Sequence, residues 1–308
     1  MNTTPASTKP LSTVMQGLMR RYKERVPDVK TILNAMERVG LIAHPDDIEN
    51  DHIAFRTLGV PHLGIASFEK IFLHYGYQKR DYYHFEGKKL DAYWFSPPEP
   101  NYPRIFVSEL RVSALSKEAQ RIIHSYTEEV KSDPVDNLDL NDGDTVDAFL
   151  HQPLWRTPTL IDYLTLLGES EYAAWVIYNR YYLNHFTVSV HNLPEGYNTV
   201  AEFNNFLEKQ GIKLNDSGGK VKESPDGGLL QSSTVAQMLE TEFANGEKHL
   251  ISGSYVEFAE RRVLPQFADL PAEQIQRQHR RDGFEAGNAD KIFESTYTTQ
   301  TTLRLRSE

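Results

Sequence analysis

Two histidines and one glutamate, far apart in the chain, are the residues best suited to chemistry. His52 and His185 each stand near the start of an alternating apolar run, DHIAF and NHFTV, and Glu257 lies in a third run, SYVEFAE. Two imidazoles and one carboxylate form a ligand set that leaves coordination positions open, and this set suits non-haem Fe(II). If the two histidine runs are matching parts of a repeat, their side chains can meet Glu257 at one metal. The alternative is that the histidines only begin strands, because most histidines are not ligands.

Arg56 is the residue that we expect to act on the substrate, as a catalytic and substrate-binding residue. It follows His52 by four positions, so it lies on the same face of a strand, about 13 Å away. A guanidinium is costly to bury unless it meets an anion, and it binds carboxylates through paired hydrogen bonds. A metal and Arg56 together predict a short dicarboxylic acid, chelated at one end and clamped at the other. A structural salt bridge from Arg56 to Glu109 or Glu257 is the alternative.

Three further polar residues are candidates for the same cleft. Glu109 closes the first repeat as Glu257 closes the second, so it could replace or join Glu257 as a ligand. Gln231 and Ser233 share one face of a polar strand that should border the cleft, where they could bind substrate or orient a metal ligand. The alternative for this strand is a sheet edge with solvated side chains.

Composition excludes several classes of function. The 308 residues include 33 basic and 43 acidic ones, and the net charge of −10 argues against non-specific nucleic-acid binding. No run of about 18 uncharged apolar residues exists, so we expect no membrane span. Because the chain has no cysteine, disulfides, thiolate nucleophiles and cysteine-bound metals are excluded. The first residues lack an apolar signal region, and we expect a cytoplasmic protein. The sequence does not determine the oligomeric state.

The order of predicted elements repeats, which sets the architecture. The first unit has a strand, a helix and three strands, at residues 51–57, 64–75, 77–85, 90–95 and 104–110. The second has the same order, at residues 183–192, 199–210, 211–214, 229–234 and 253–259. Amphipathic patterns predict additional helices over residues 11–25, 29–39, 116–131 and 158–178. We therefore expect an α+β fold in which two β-α-β-β-β modules pair into a curved sheet cleft, with added N-terminal, central and C-terminal helices.

This order divides the chain into five segments. They are an N-terminal helical segment (1–45), the first module (46–115), a helical insertion and linker (116–182), the second module (183–263) and a C-terminal extension (264–308).

Several long strings resemble the DUF1338 family, which includes the 2-oxoadipate dioxygenase/decarboxylases, also called hydroxyglutarate synthases. In chain order these strings are DHIAFRTLGV, LDAYWFSPP, PRIFVSELRV, ESEYAAWV, NHFTVSVH, DGGLLQSSTVA, GSYVEFAERRVLP and RRDGFEAGNADKIFEST. The resemblance runs from about residue 45 to residue 296.

The resemblance implies a vicinal-oxygen-chelate-like fold and an Fe(II) cofactor held by His52, His185 and Glu257. It also implies that Arg56 binds the substrate. The expected reaction converts a 2-oxo dicarboxylic acid, 2-oxoadipate, with O2 into 2-hydroxyglutarate and CO2, so the expected partners are a small 2-oxo acid and O2. Two alternatives remain open. One is a glyoxalase-like isomerase or lyase that uses a divalent metal without O2, and the other is a non-enzymatic module that binds small acids.

Overall fold

The computed structural model describes residues 8–306. Within this range the helices are α1 (Thr8–Arg25), α2 (Pro27–Arg38), α3 (Ile65–His74), α4 (Lys117–Thr127), α5 (Gly143–His151), α6 (Leu160–Glu169), α7 (Glu171–Asn179), α8 (Val200–Lys209), α9 (Ala286–Ile292) and α10 (Thr298–Leu305). The strands are β1 (Asn50–Leu58), β2 (Gln78–Phe85), β3 (Leu90–Ser96), β4 (Arg104–Leu110), β5 (His185–Ser189), β6 (Lys222–Glu223), β7 (Leu229–Ser233), β8 (Met238–Glu242), β9 (Lys248–Ser252) and β10 (Tyr255–Arg261).

Eight of these strands form one curled sheet in the order β2-β3-β4-β1-β5-β10-β7-β6. In each half the opening strand lies parallel to the closing strand of its own module, β1 beside β4 and β5 beside β10. The halves join through the antiparallel pair β1–β5. This arrangement confirms the predicted α+β fold of two paired modules.

The helix of each module covers the same face of the sheet. Phe68 of α3 packs on Phe55 of β1, with ring centroids 4.7 Å apart, and Phe203 of α8 packs on Phe258 of β10 at 5.2 Å. The opposite face is covered by α7 and by the chain that follows β10. Because both faces are covered, every residue of β1 after Asn50 is buried.

The second module differs from the expected sequence of elements in two places. Residues 211–214 do not form a strand, because only Leu214 makes an isolated bridge, to Thr234. The extra strand is instead β6, which lies in the segment between residues 214 and 229. The hairpin β8–β9, which was not predicted, lies between β7 and β10 and pairs only with itself among the described residues.

The central insertion also differs in detail. The helix predicted over 158–178 is interrupted at Ser170, whose hydroxyl accepts a hydrogen bond from the Ala173 amide and so begins α7. The N-terminal helices agree with the predicted pattern, although residues 1–7 of that segment lie outside the described residues. The five-segment division stays a prediction, since the two modules share one continuous sheet.

The C-terminal helix is tied to the N-terminal helices by a buried ion pair. Arg304 of α10 donates to both carboxylate oxygens of Asp28 on α2, at 2.6 and 2.9 Å, and also to the Val235 carbonyl.

The described residues 8–306 include no helix that is both long and apolar enough to cross a membrane.

Arg304→Ala is expected to lower the free energy of unfolding by about 3 kcal/mol, because Asp28 would remain buried without its cationic partner. Urea unfolding followed by circular dichroism measures this change. The control is Arg306→Ala, which removes an exposed guanidinium two residues further along the chain. It should change the free energy of unfolding by less than about 0.5 kcal/mol. Equal effects of the two substitutions would show that the ion pair does not hold the C-terminal helix.

Candidate metal centre

The pairing of β1 with β5 brings the two histidines together. Ala54 pairs with His185 and Ile53 with Phe186, so His52 lies diagonally across from His185 on the same face. The two imidazole centroids are 5.5 Å apart and their planes are almost perpendicular, at 84°. The predicted convergence of these two side chains is therefore present.

Glu257 completes the cluster from β10. It pairs with Thr187, two positions after His185, and therefore lies on the same face as both histidines. Its carboxylate oxygens lie 3.4 Å from His52 Nε2 and 3.0 Å from His185 Nε2. One donor atom from each of the three residues lies within 4.8 Å of the other two, and all three side chains are buried.

The residue before each histidine orients its ring. The Asp51 carboxylate lies 2.8 Å from His52 Nδ1, and the Asn184 side-chain oxygen lies 3.0 Å from His185 Nδ1. An acceptor at Nδ1 keeps the proton there and leaves the Nε2 lone pair free for a metal. The sequence pattern of an acid or amide followed by histidine thus has a role that we did not predict from the sequence.

Asp51 is also the centre of a buried charge network. Arg261 donates to both of its oxygens, at 2.6 and 2.9 Å, and Arg104 donates to one of them at 3.0 Å. Burial alone would raise the pKa of Asp51, but the two guanidinium groups hold it well below its usual range. The His52 ring is therefore anchored by a permanent negative charge, whereas the His185 ring is anchored by a neutral amide.

The three candidate ligands influence one another electrostatically. Burial opposes ionisation of Glu257, but the two neighbouring imidazoles hold its pKa far below the usual value. Burial lowers the pKa of His185, which favours its neutral form. For His52, burial is outweighed by Glu257 and Asp51, and its pKa is raised. An ionised carboxylate between two imidazoles is the donor set that a divalent cation requires.

These observations fit a metal. Two nitrogen donors and one oxygen donor converge from three adjacent strands, and each imidazole is oriented by an acceptor behind it. Thr187, the residue between His52 and Glu257 in the sheet, places its hydroxyl 3.0 Å from His52 Nε2. His52, His185 and Glu257 could therefore hold one divalent ion while leaving its other positions toward the cleft.

Arg56 lines the same narrow cleft and is 1% exposed. Its terminal nitrogens donate to the Thr296 hydroxyl at 2.9 Å and to the Phe293 carbonyl at 3.0 Å, while Nε has no hydrogen-bond partner in the described part of the chain. The rings of Tyr172 and Trp175 lie 5.1 and 5.3 Å from the guanidinium carbon. Among the described residues, no carboxylate forms a salt bridge with Arg56, so the alternative of a structural bridge to Glu109 or Glu257 is not realised.

Gln231 orients a candidate ligand. Its side-chain nitrogen donates to Glu257 Oε1 at 2.6 Å, and its oxygen accepts from Asn288 at 3.0 Å. Ser233 shares that face of β7 and hydrogen-bonds the Ser295 hydroxyl at 2.8 Å. Both side chains are buried, so a solvated edge strand is the wrong description of β7. Binding of substrate by Gln231 or Ser233 stays a prediction.

Glu109 does not belong to the group of candidate metal ligands. It pairs with Thr57, an odd number of positions from His52, and so lies on the opposite face, where it accepts from the Ile65 amide that begins α3. The counterpart of Glu109 in the second module is Glu260, which accepts from the Val200 amide that begins α8. The residue of β4 that corresponds to Glu257 is Phe106, which pairs with Ala54. The expected equivalence of Glu109 and Glu257 is therefore wrong.

The C-terminal segment closes the cleft, which the sequence did not predict. Phe284 lies edge-on to the His52 ring at 4.8 Å, and Phe293 and Ile292 line the wall near Arg56. The empty volume of the cleft, including its open mouth, is about 360 Å³. No periodicity marks these residues for this role, although they lie within one of the strings that carry the family resemblance.

Comparison with known proteins gives consistent results. The sequence profile of the family described as 2-oxoadipate dioxygenase/decarboxylase matches residues 14–273. A chloroplastic protein of that name from Arabidopsis thaliana is 45% identical over 296 residues, which cover 92% of this chain and 76% of the relative. The chloroplastic/amyloplastic protein of that name from Oryza sativa subsp. japonica is 44% identical over 302 residues, which cover 95% of this chain and 80% of that relative.

Solved structures agree with these matches. A crystal structure of the hydroxyglutarate synthase from Oryza sativa in complex with 2-oxoadipate is 42% identical, with a TM-score of 0.86 and 98% of both chains covered. A Ralstonia eutropha protein assigned to the glyoxalase superfamily is 22% identical, with a TM-score of 0.66, covering 89% of this chain and 85% of its own. At that identity the second similarity concerns the fold alone, and it agrees with the expected vicinal-oxygen-chelate-like architecture.

The expected cytoplasmic location is wrong by this comparison. Both plant relatives are named as plastid proteins, one chloroplastic and one chloroplastic or amyloplastic. An apolar region is the mark of a secretory signal peptide, whereas transit peptides to plastids are amphipathic and have no such region. That feature could therefore not select the cytoplasm over a plastid.

His185→Ala is expected to abolish stoichiometric metal binding, because only two of the three donors would remain. Elemental analysis after anaerobic reconstitution with Fe(II) measures the metal content. His84→Ala, which removes an exposed imidazole from the first module, is the matched control and should retain one metal per chain. Retention of a full equivalent by His185→Ala would contradict the ligand assignment.

Asp51→Asn is expected to weaken metal binding by about 10- to 100-fold, because His52 would lose its anionic anchor. Titration with a competing chelator measures the affinity, and circular dichroism checks that the variant is folded. The control is Asp91→Asn, since Asp91 forms a similar 2.7 Å contact with His84 at the surface. An unchanged affinity in Asp51→Asn would show that the anchor does not support a metal ligand.

Proposed function

This chain belongs to the 2-oxoadipate dioxygenase/decarboxylase family, and we propose that it uses one Fe(II) ion to convert a dicarboxylic 2-oxo acid and O2 into a 2-hydroxy acid and CO2. With 2-oxoadipate as substrate, the product is 2-hydroxyglutarate. The equation balances: the six carbons of the substrate appear as five in the product and one in CO2, and the two atoms of O2 are both incorporated.

One observation carries this proposal. A buried group of three metal-type donors lines the same cleft as a buried guanidinium that has no carboxylate partner within residues 8–306. His52 and Arg56 are four residues apart on β1, about 13 Å along the strand, which a metal, a short acid and a long arginine side chain can span together. The two ends of the cleft thus suit the two charged ends of a dicarboxylic 2-oxo acid.

The wall between the two ends suits the rest of such a molecule. Ala54, Phe106 and Phe293 line it with apolar surface, which would contact the methylene groups of the substrate. A monocarboxylic acid would leave Arg56 buried without an anion, which is unfavourable. This charge pattern supports 2-oxoadipate, the ligand named for the Oryza sativa structure, as the substrate class.

The residues of the chain position the reactants and exclude water. When bound, Fe(II) would supply the activation of O2, which side chains alone cannot provide. Asp51, Asn184 and Gln231 hold the three ligand side chains in place. Phe284 covers the His52 ring and keeps that side of the centre apolar. Arg56 is fixed by the C-terminal segment before the substrate arrives, so its orientation need not be created on binding.

A second candidate is an isomerase or lyase in which the same three residues hold a divalent metal that polarises the substrate without O2. The donor set itself supports this candidate, because a divalent metal held by two imidazoles and a carboxylate can polarise a carbonyl oxygen. The two candidates differ in whether product forms under strictly anaerobic conditions.

The iron-loaded protein is expected to consume one O2 and release one CO2 for each dicarboxylic 2-oxo acid converted, with no product in anaerobic buffer. Arg56→Ala should raise KM by about 30- to 1,000-fold, equivalent to about 2–4 kcal/mol, because the distal carboxylate would lose its cation. An oxygen electrode measures O2 consumption and the KM, and CO2 detection measures the decarboxylation.

Arg80→Ala removes an exposed guanidinium on β2 and is the control for the loss of a positive charge. The absence of O2 uptake with any dicarboxylic 2-oxo acid would refute the proposed reaction. Anaerobic turnover would instead support the isomerase or lyase.

A further inference from the structure

We propose that the Tyr255 hydroxyl is a second hydrogen-bond donor for the distal carboxylate of the substrate, acting beside Arg56. This inference rests on the proposed function, and it adds a residue that selects dicarboxylic over monocarboxylic 2-oxo acids. Neither the sequence pattern nor the ligand cluster assigns this role to Tyr255.

Tyr255 is held rigidly inside the cleft. It is the first residue of β10, pairs with His185, and lies on the same face of the sheet as Glu257. Its ring stacks on the His185 imidazole, with centroids 4.7 Å apart and planes inclined by 30°. Its backbone carbonyl accepts from the Tyr22 hydroxyl, and its amide donates to the Asn184 carbonyl. The side chain is 0% exposed, so it has little freedom to move.

The hydroxyl of Tyr255 lacks a hydrogen-bond partner among the described residues. A buried polar group without a partner is unfavourable, and buried tyrosine hydroxyls usually find one. The ring contacts apolar Ala236 and Ile292, which offer no acceptor. Phenylalanine would fill the same space without this penalty, so packing alone does not account for a tyrosine here.

Arg56 has a matching unmet donor in the same cleft. Its two terminal nitrogens already donate to Thr296 and Phe293, but its Nε–H has no acceptor among residues 8–306. Both Arg56 and Tyr255 line the cleft. Two buried donors without acceptors, facing one cavity, indicate a ligand group that accepts hydrogen bonds from both.

Charge identifies that group as an anion. The Tyr255 hydroxyl lies near enough to Arg56 to interact with its positive charge, although no hydrogen bond of ordinary geometry joins them. A guanidinium has only donors, so Arg56 cannot accept the Tyr255 hydroxyl hydrogen, and that hydrogen stays available to a ligand in the cleft. A carboxylate has two oxygens, so one can accept from Arg56 and the other from Tyr255.

Tyr255→Phe in the iron-loaded protein tests the inference, since it removes only the hydroxyl and keeps the ring stacked on His185. Anaerobic binding is compared for 2-oxoadipate and for 2-oxohexanoate, which has the same chain length but no distal carboxylate. The dissociation constant for 2-oxoadipate should rise by about tenfold, while that for 2-oxohexanoate and the metal content should stay unchanged. Tyr77→Phe is the matched control, because it removes a buried hydroxyl that bonds the Pro103 carbonyl away from the cleft.

A second comparison tests the partnership with Arg56. In an Arg56→Met background, Tyr255→Phe should have a clearly smaller effect on 2-oxoadipate binding, because the two donors share one carboxylate. Equal effects of Tyr255→Phe on both acids, or no effect on either, would overturn the inference. If 2-oxoadipate binds with the expected preference but no O2 is consumed, the subsite stands and only the proposed reaction fails.

Discussion

The antiparallel register between β1 and β5 is the constraint on which the site depends. Because Ala54 pairs with His185, the two histidines lie diagonally on one face, and the parallel register of β10 on β5 then adds Glu257 to that face. A slip of one residue between β1 and β5 would move His185 to the opposite face and disperse the cluster. The packing of α3 and α8 on the far face holds this register, because the apolar residues that alternate with the candidate ligands are buried there.

The second feature of the site is the amount of charge that it keeps away from water. Asp51 is satisfied by Arg104, Arg261 and His52, and Glu257 by the two imidazoles and Gln231. Removing one partner of such a buried charge lowers the free energy of unfolding by more than the intact pair adds to it, because the other charge stays buried and unpaired. Arg56 is the exception, because its hydrogen-bond partners among the described residues are neutral, and this is why we propose it as the binding group for the distal carboxylate. The same balance explains why this cleft suits a ligand with negative charge at both ends.

Local pattern in the sequence is enough to predict the repeat, the converging histidines and the position of Arg56, because strand alternation and element order are local properties. The match of Glu109 with Glu257 is wrong for a different reason. Which residue of a closing strand faces the two histidines depends on its register with an opening strand about 50 to 70 residues away. Only the pairing shows that Phe106, not Glu109, corresponds to Glu257. The closure of the cleft by Phe284 and Phe293 is likewise non-local, since it joins the last part of the chain to the first strand.

Anomalous X-ray scattering at the iron edge, from anaerobically reconstituted crystals, tests the central claim most directly. The account predicts one strong peak per chain, bounded by His52 Nε2, His185 Nε2 and a Glu257 oxygen. A peak elsewhere, for example between the surface residues His84 and Asp91, or the absence of any peak in a crystal grown from protein with bound iron, would contradict it.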